Sequence, residues 1–320
     1  MNIKDLNLAT LSHLFTDEAA ARAFIESQLW PTGPCCPHCG SVTFYKLTAK
    51  PDSKKPVRAG VYKCKDCRKQ YTVRIGTIFE DSHIPFSKWL MALHLMTSSK
   101  KGVSSLQISR EVGVTVKSAW FMTHRIREAM IEAYGPQSLE GTVEVDETYV
   151  GGKPRHHKRR SGNTGRGTKK TPVVVLVQCD GRAACNPIGN VTIKTLRDEI
   201  EKHVDKSATI MTDEYRPYRQ ATESFENHKT VCHSKGEYAR KEKGGFVAHT
   251  NTAESFFALL KRGHYGIFHM LSKQHLHRYT NEFSFRWNHR KVSDGERMVA
   301  AIKGAEGKRL MYKQPDNKTA

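Results

Sequence analysis

From Thr142 onward the chain is written in short β-rich runs, and the order of those runs restricts the fold more than any other feature. Thr142 to Val150 is the first run, and Pro172-Val173-Val174-Val175-Leu176-Val177-Gln178 is a second, apolar throughout and suited to a buried strand. Asp180-Gly181 signals a hairpin turn leading to a third strand near Asn186 to Thr192. Thr195 to Val204 has the spacing of an amphipathic helix, a fourth strand covers Ala208 to Asp213, and Thr230-Val231-Cys232-His233 suggests a fifth. Three strands, a helix and a further strand, followed by helices, predict an α/β domain over residues 140–295.

Within this domain the acids have particular places. Asp146 lies inside Val143-Glu144-Val145-Asp146-Glu147-Thr148-Tyr149-Val150, Asp213 ends the fourth run, and Glu254 falls at the start of a helix in His249-Thr250-Asn251-Thr252-Ala253-Glu254-Ser255-Phe256-Phe257-Ala258-Leu259-Leu260-Lys261-Arg262. Two acids at strand ends and one on a later helix can converge on a pair of Mg²⁺ (or Mn²⁺) ions. Lys261 is seven residues after Glu254, which returns it to nearly the same helix face, where it or Arg262 can grip a phosphate backbone. Asn251-x-x-Glu254 equally fits a helix cap with its reciprocal acid, so this stretch alone admits both readings. Glu144, Glu147 and Glu214 read as structural or solvent-facing, and strand alternation points Glu147 away from Asp146. Between the first two strands, the basic loop 151–171 carries Lys153, Arg155, Lys158, Arg159 and Arg160. It cannot form a core strand; it is either a wrap for phosphates or a solvated insertion.

Ahead of this domain stand three smaller segments. Residues 1–30 place Leu6, Leu8, Leu11, Leu14 and Phe15, then Ala19, Ala23, Phe24 and Leu29, at helical spacing, with a cap at Thr16-Asp17. Residues 31–80 hold Cys36-x-x-Cys39 and Cys64-x-x-Cys67 among aromatic and β-branched residues, the pattern of a zinc ribbon with one structural Zn²⁺ on four thiolates. Cys35 adjoins the first pair, but Cys36 gives the required spacing. Residues 84–135 turn helical, and Ser104 to Trp120 reads as helix, glycine turn, helix. A helix-turn-helix would put its second helix, about Val116 to Ala133, in the DNA major groove and expose Lys117, Ser118, His124, Arg125 and Arg127; a scaffold αα-hairpin has the same periodicity. Residues 296–320 read as a basic C-terminal tail.

Fifty-two Lys and Arg against 32 Asp and Glu give a formal charge of +20, which attracts polyanions and makes nucleic acid the expected partner. With no apolar run of membrane-spanning length and no signal-peptide pattern at Met1-Asn2-Ile3-Lys4-Asp5, no membrane partner is expected and a cytoplasmic location is. In that reducing setting cysteine pairs argue for metal before disulfides.

Taken together, the four-cysteine ribbon, the helix-turn-helix, Val-Glu-Val-Asp-Glu-Thr-Tyr-Val-Gly-Gly (143–152), Thr-Asp-Glu-Tyr (212–215) and Asn-Thr-Ala-Glu-Ser-Phe-Phe-Ala-Leu-Leu-Lys-Arg-Gly (251–263) resemble bacterial insertion-sequence transposases of the ISXO-like group, in the DDE superfamily. His-Leu-His-Arg-Tyr (275–279) and Glu-Phe-Ser-Phe-Arg-Trp-Asn (282–288) extend the resemblance, which covers about residues 10–300. It implies a ribonuclease H-like (RNase H-like) catalytic domain whose first and fourth strands are neighbours, two divalent cations, and double-stranded DNA (terminal inverted repeats and target) as substrate. It also implies Asp146 and Asp213 as the first two catalytic acids and Glu254 or Asn251 as the third. Because two transposon ends must be processed together, a homodimer or larger assembly is expected. The competing expectation is a DNA-binding regulator with an inactive transposase-like domain.

Overall fold

The computed structural model describes residues 3–48, 57–132, 139–152, 168–241 and 247–311, and the chain divides into two units, Met1–Ile131 with Val292–Ala320, and Glu132–Lys291. In the first unit, α1 (Leu8–Thr16) and α2 (Glu18–Leu29) each begin with a side chain that accepts amides of the first turn. Asn7 Oδ1 accepts from Ala9 and Thr10 N–H at 3.0 and 3.1 Å, and Asp17 Oδ1 from Ala19 and Ala20 N–H at 2.8 and 3.2 Å. Leu11, Leu14, Ala21, Ile25 and Leu29 are buried. Strands β1 (Phe44–Lys46), β2 (Tyr62–Cys64) and β3 (Gln70–Tyr71) make a small antiparallel sheet. Helices α3 (Phe86–Ser98), α4 (Ser105–Val112) and α5 (Val116–Ala129) follow. Between α4 and α5, Gly113 takes φ 66° and ψ 50°, the left-handed turn that the sequence assigns to it.

The second unit is built on a five-stranded sheet. Its strands are β4 (Thr142–Val150), β5 (Thr171–Gln178), β6 (Ala183–Pro187), β7 (Thr209–Thr212) and β8 (Asn227–Thr230), in the spatial order β6-β5-β4-β7-β8. β4 and β5 pair antiparallel, as do β5 and β6, whereas β4–β7 and β7–β8 are parallel. The first and fourth strands are therefore neighbours, the order of an RNase H-like sheet. One face carries Val143, Val145, Val174 and Leu176 against α6 (Ile193–His203) and α7 (Arg216–Ala221). The other carries Val150, Val173, Val175 and Val177 against α8 (Asn251–Gly263) and α9 (Leu276–Asn288). β5 is thus covered on both sides, which is why its sequence lacks alternation; each such side chain contributes about 1.5–3 kcal/mol relative to exposure. A two-stranded ladder, β9 (Ala239–Lys241) with β10 (Val247–His249), leads into α8.

Three expectations are corrected. The third strand begins at Ala183, three residues before Asn186, because Gly181 N donates to Gln178 O at 3.0 Å and the tight turn fixes Val177 opposite Ala183 at once. The fifth strand is Asn227–Thr230, which has no apolar alternation because it lies at the sheet edge. The expected C-terminal tail instead includes α10 (Asp294–Lys303) of the first unit, started by a Ser293–Glu296 capping box and burying Met298, Val299, Ala301 and Ile302. A Cβ on Gly295 would strike Ile3 O, and one on Gly304 would strike Ala129 O, so both glycines permit close backbone approach.

Candidate active site

Asp146 and Asp213 come together through strand register. The parallel β4–β7 ladder pairs Thr142 with Thr209 and Glu144 with Met211; continued by two residues, it puts Asp146 opposite Asp213. Both acids then lie just past the carboxyl end of the parallel-paired stretch, Asp146 at the middle of β4 and Asp213 after β7, on the side where α/β sheets commonly place ligands. Asp213 stands just beyond β7, where its Oδ1 accepts from Tyr215 N–H at 3.0 Å. Burial, then the charges of Glu147, Asp213 and Glu254, push the Asp146 carboxyl up from 3.8 to about 7, against the lowering effect of the Glu147 N–H that donates to it at 2.7 Å. The three acids therefore share one electrostatic neighbourhood.

Glu254 lies in the first turn of α8 with its side chain 52 % exposed and Oε1 3.8 Å from His233 Nε2. The capping alternative for Asn251 and Glu254 does not hold. Thr250, not Asn251, is the residue before the helix, and it makes no side-chain cap bond. The first-turn amides go to the strand instead: Glu144 Oε2 accepts from Thr252 and Ala253 N–H at 2.8 and 2.9 Å. Glu144 is wholly buried, and its Oε1 is 3.2 Å from His249 Nδ1. Glu144 is therefore structural, as the sequence suggested, but the cross-element cap it makes was not legible there; an acid two places before Asp146 on the same strand face was its one signal. Asn251 is exposed at the first position of α8, and Lys261 and Arg262 are exposed in its last turn. Glu147 does point to the opposite face, where its Oε2 accepts from Tyr218 OH at 2.6 Å. Glu214 is structural, accepting from His233 and Ser234 N–H at 2.8 and 3.1 Å.

In the first unit, Cys36 and Cys67 Sγ are 3.6 Å apart, as are Cys39 and Cys64, and all four sulfurs lie within 4.8 Å of one another. Tetrahedral zinc with sulfurs at about 2.3 Å needs S···S distances of about 3.8 Å, so the cluster fits the ion closely. Among the described residues no other group of three His, Cys, Asp or Glu meets that 4.8 Å spacing, and the acid triad does not. Cys35 stays out of the cluster, its Sγ 3.4 Å from Gly40 O.

Of the five side chains that the helix-turn-helix expectation exposes on its second helix, the structure buries three. Lys117 is exposed and Ser118 half-buried near the start of α5. His124, Arg125 and Arg127 are buried and unavailable to DNA. Arg125 instead ties backbone together, donating from Nη1 to Ile78 O at 2.6 Å and Glu80 O at 2.5 Å, and from Nε to Leu310 O at 3.1 Å. The reason is that α5 packs along its whole second half inside the unit, so basic residues there serve the interior. Lys153, Arg155, Lys158, Arg159 and Arg160 fall outside the described residues.

Comparison with known proteins fits this geometry. Residues 138–288 match the family model of the ISXO2-like transposase domain, and residues 16–70 match that of the transposase zinc-ribbon domain, together more than half of the chain. The chain belongs to the ISXO2-like transposases. The transposase-domain match contains Asp146, Asp213, Asn251 and Glu254, and the ribbon match contains all four zinc-spaced cysteines. A protein in the transposable element ISH50 of Halobacterium salinarum is 29 % identical over 287 residues, covering 85 % of this transposase-family chain and 91 % of the relative. The solved Mos1 transposase paired-end complex with left transposon end aligns over 68 % of this chain and 80 % of its own at 13 % identity and a TM-score of 0.25, too weak a likeness to carry weight. Among the described residues, no helix is long and apolar enough to cross a membrane.

Proposed function

We propose that this transposase cuts DNA at the terminal inverted repeats of an insertion sequence and joins the freed ends to target DNA, working in the cytoplasm as a homodimer or larger assembly. The observation that carries the reading is the β4–β7 register that juxtaposes Asp146 and Asp213, with the Asp146 carboxyl raised to about 7 by burial and neighbouring acids. Such crowding of like charge is costly without a cation, and an all-oxygen donor set suits a hard one. Asp146, Asp213 and Glu254 are the residues that would hold two Mg²⁺ or Mn²⁺ ions, which when bound polarise the scissile phosphate and stabilise the attacking and leaving oxygens.

Glu254 is favoured over Asn251 as the third acid because its charge reaches Asp146 and no capping role engages it. Lys261 and Arg262 face solvent on the helix that carries Glu254, where they would hold substrate phosphates, while Lys117 and Ser118 would contact DNA from α5. The four cysteines would hold one Zn²⁺ that fixes the ribbon and takes no part in the chemistry. The basic loop with Lys153, Arg155, Lys158, Arg159 and Arg160 would wrap substrate phosphates.

The test is a labelled duplex containing the element's end, incubated with the full chain and Mg²⁺. Wild type should release a free 3′-hydroxyl end, and Asp146→Asn should abolish release while leaving end binding intact. Binding without cutting by the wild type would favour a regulator with an inactive catalytic domain.

A further inference from the structure

We infer that Glu144 is a positioning residue whose carboxylate sets where Glu254 stands relative to Asp146; the inference rests on the proposed role of those two acids in holding cations. A carboxylate removed from water costs several kcal/mol unless its lone pairs are met. Glu144 is 0 % exposed. Its Oε2 accepts from Thr252 and Ala253 N–H at 2.8 and 2.9 Å, and its Oε1 faces His249 Nδ1 at 3.2 Å and Cys179 Sγ at 3.6 Å. The amides belong to the first turn of α8, whose dipole adds to the attraction, and the helix has no side-chain cap of its own. A strand acid therefore supplies the cap.

The consequence is geometric. Strand alternation sends Glu144 and Asp146 to the same face, roughly 6.5–7 Å apart along β4. On α8 the clamped amides are those of the two residues immediately before Glu254. A rigid strand and a rigid helical turn thus connect the first acid to the third through one side chain. Metal ligands held in this way need their supporting hydrogen bonds, since loss of such partners typically weakens metal binding by about 10- to 100-fold. Glu144 is not itself placed to ligate a cation, because both its oxygens are engaged and none of it reaches solvent.

The experiment uses the full zinc-loaded chain with Mn²⁺ as the probe, its binding followed by electron paramagnetic resonance, alongside hydrogen exchange at the Thr252, Ala253 and Glu254 amides. Glu144→Ala should raise the Mn²⁺ Kd by at least about tenfold and speed exchange at all three amides. Glu144→Gln keeps an oxygen that accepts both N–H groups, so it should recover most of the affinity, leaving a deficit of about fivefold or less. Equal losses in the two variants would make Glu144 a direct ligand, and faster exchange with unchanged Mn²⁺ affinity would make it a cap without influence on the metal; either result overturns the inference. Should Glu144→Ala fail to fold, Glu144→Gln decides, because a loss of Mn²⁺ affinity of about tenfold or more in that variant, with exchange at the three amides unchanged, would overturn it. Asp146→Asn separates the two levels of argument: if it retains wild-type Mn²⁺ binding, the metal reading itself is wrong, whereas loss there with full retention in Glu144→Ala refutes only the positioning role.

Discussion

Asp146→Asn should stabilise the second unit in the absence of divalent cations, and the gain should depend on pH. In the folded protein the Asp146 carboxyl is raised from 3.8 to about 7, chiefly by burial. A carboxyl raised on folding holds its proton more tightly in the native state, so its contribution to stability is full below about pH 4 and is lost as pH rises toward 7. At about 1.4 kcal/mol per pKa unit, the shift makes the ionised acid cost up to about 4 kcal/mol at pH 8. Asparagine has no such titration. The difference between variant and wild type should therefore grow by about 1.4 kcal/mol per pH unit between pH 4 and 7 and then level off. Urea unfolding without added Mg²⁺, followed by hydrogen exchange of the β4 amides so that only this unit is read, measures it across pH. Adding Mg²⁺ should reverse the order, stabilising wild type and leaving the variant unmoved. A variant no more stable than wild type at pH 8, or a difference that ignores pH, would refute the reasoning.

Other substitutions test other parts of the structure. Arg125→Met should destabilise the first unit by about 3 kcal/mol or more, by orphaning the carbonyls of Ile78, Glu80 and Leu310, while leaving DNA affinity per folded molecule unchanged in a filter-binding assay. Lys117→Ala should do the opposite, weakening DNA binding and reducing its salt dependence with no change in thermal midpoint. Cys64→Ser should release the zinc, measured by a colorimetric chelator, and abolish exchange protection in β1–β3 while the β4 amides remain protected. Tyr218→Phe removes the partner of Glu147, and chemical denaturation should show a loss of about 1–3 kcal/mol confined to the second unit.

The sequence by itself determined the features that depend on local periodicity and spacing. The apolar run of β5, the turn glycine at Gly113, the two Cys-x-x-Cys knuckles and the opposed faces of Asp146 and Glu147 all follow from neighbours a few residues apart. Only the tertiary structure decided which charged side chains are sealed inside. Arg125 and Arg127 have the same composition signature as DNA-contacting residues, and packing of α5 removes them from solvent. Glu144 and Glu254 look alike as acids in a motif; a strand-to-helix contact 108 residues long in sequence makes the first a buried cap and frees the second from capping. α10 joins the first unit across the whole length of the second, a closure that no local pattern records. Local pattern fixes what each segment can be, and burial by distant segments fixes what each charge is for.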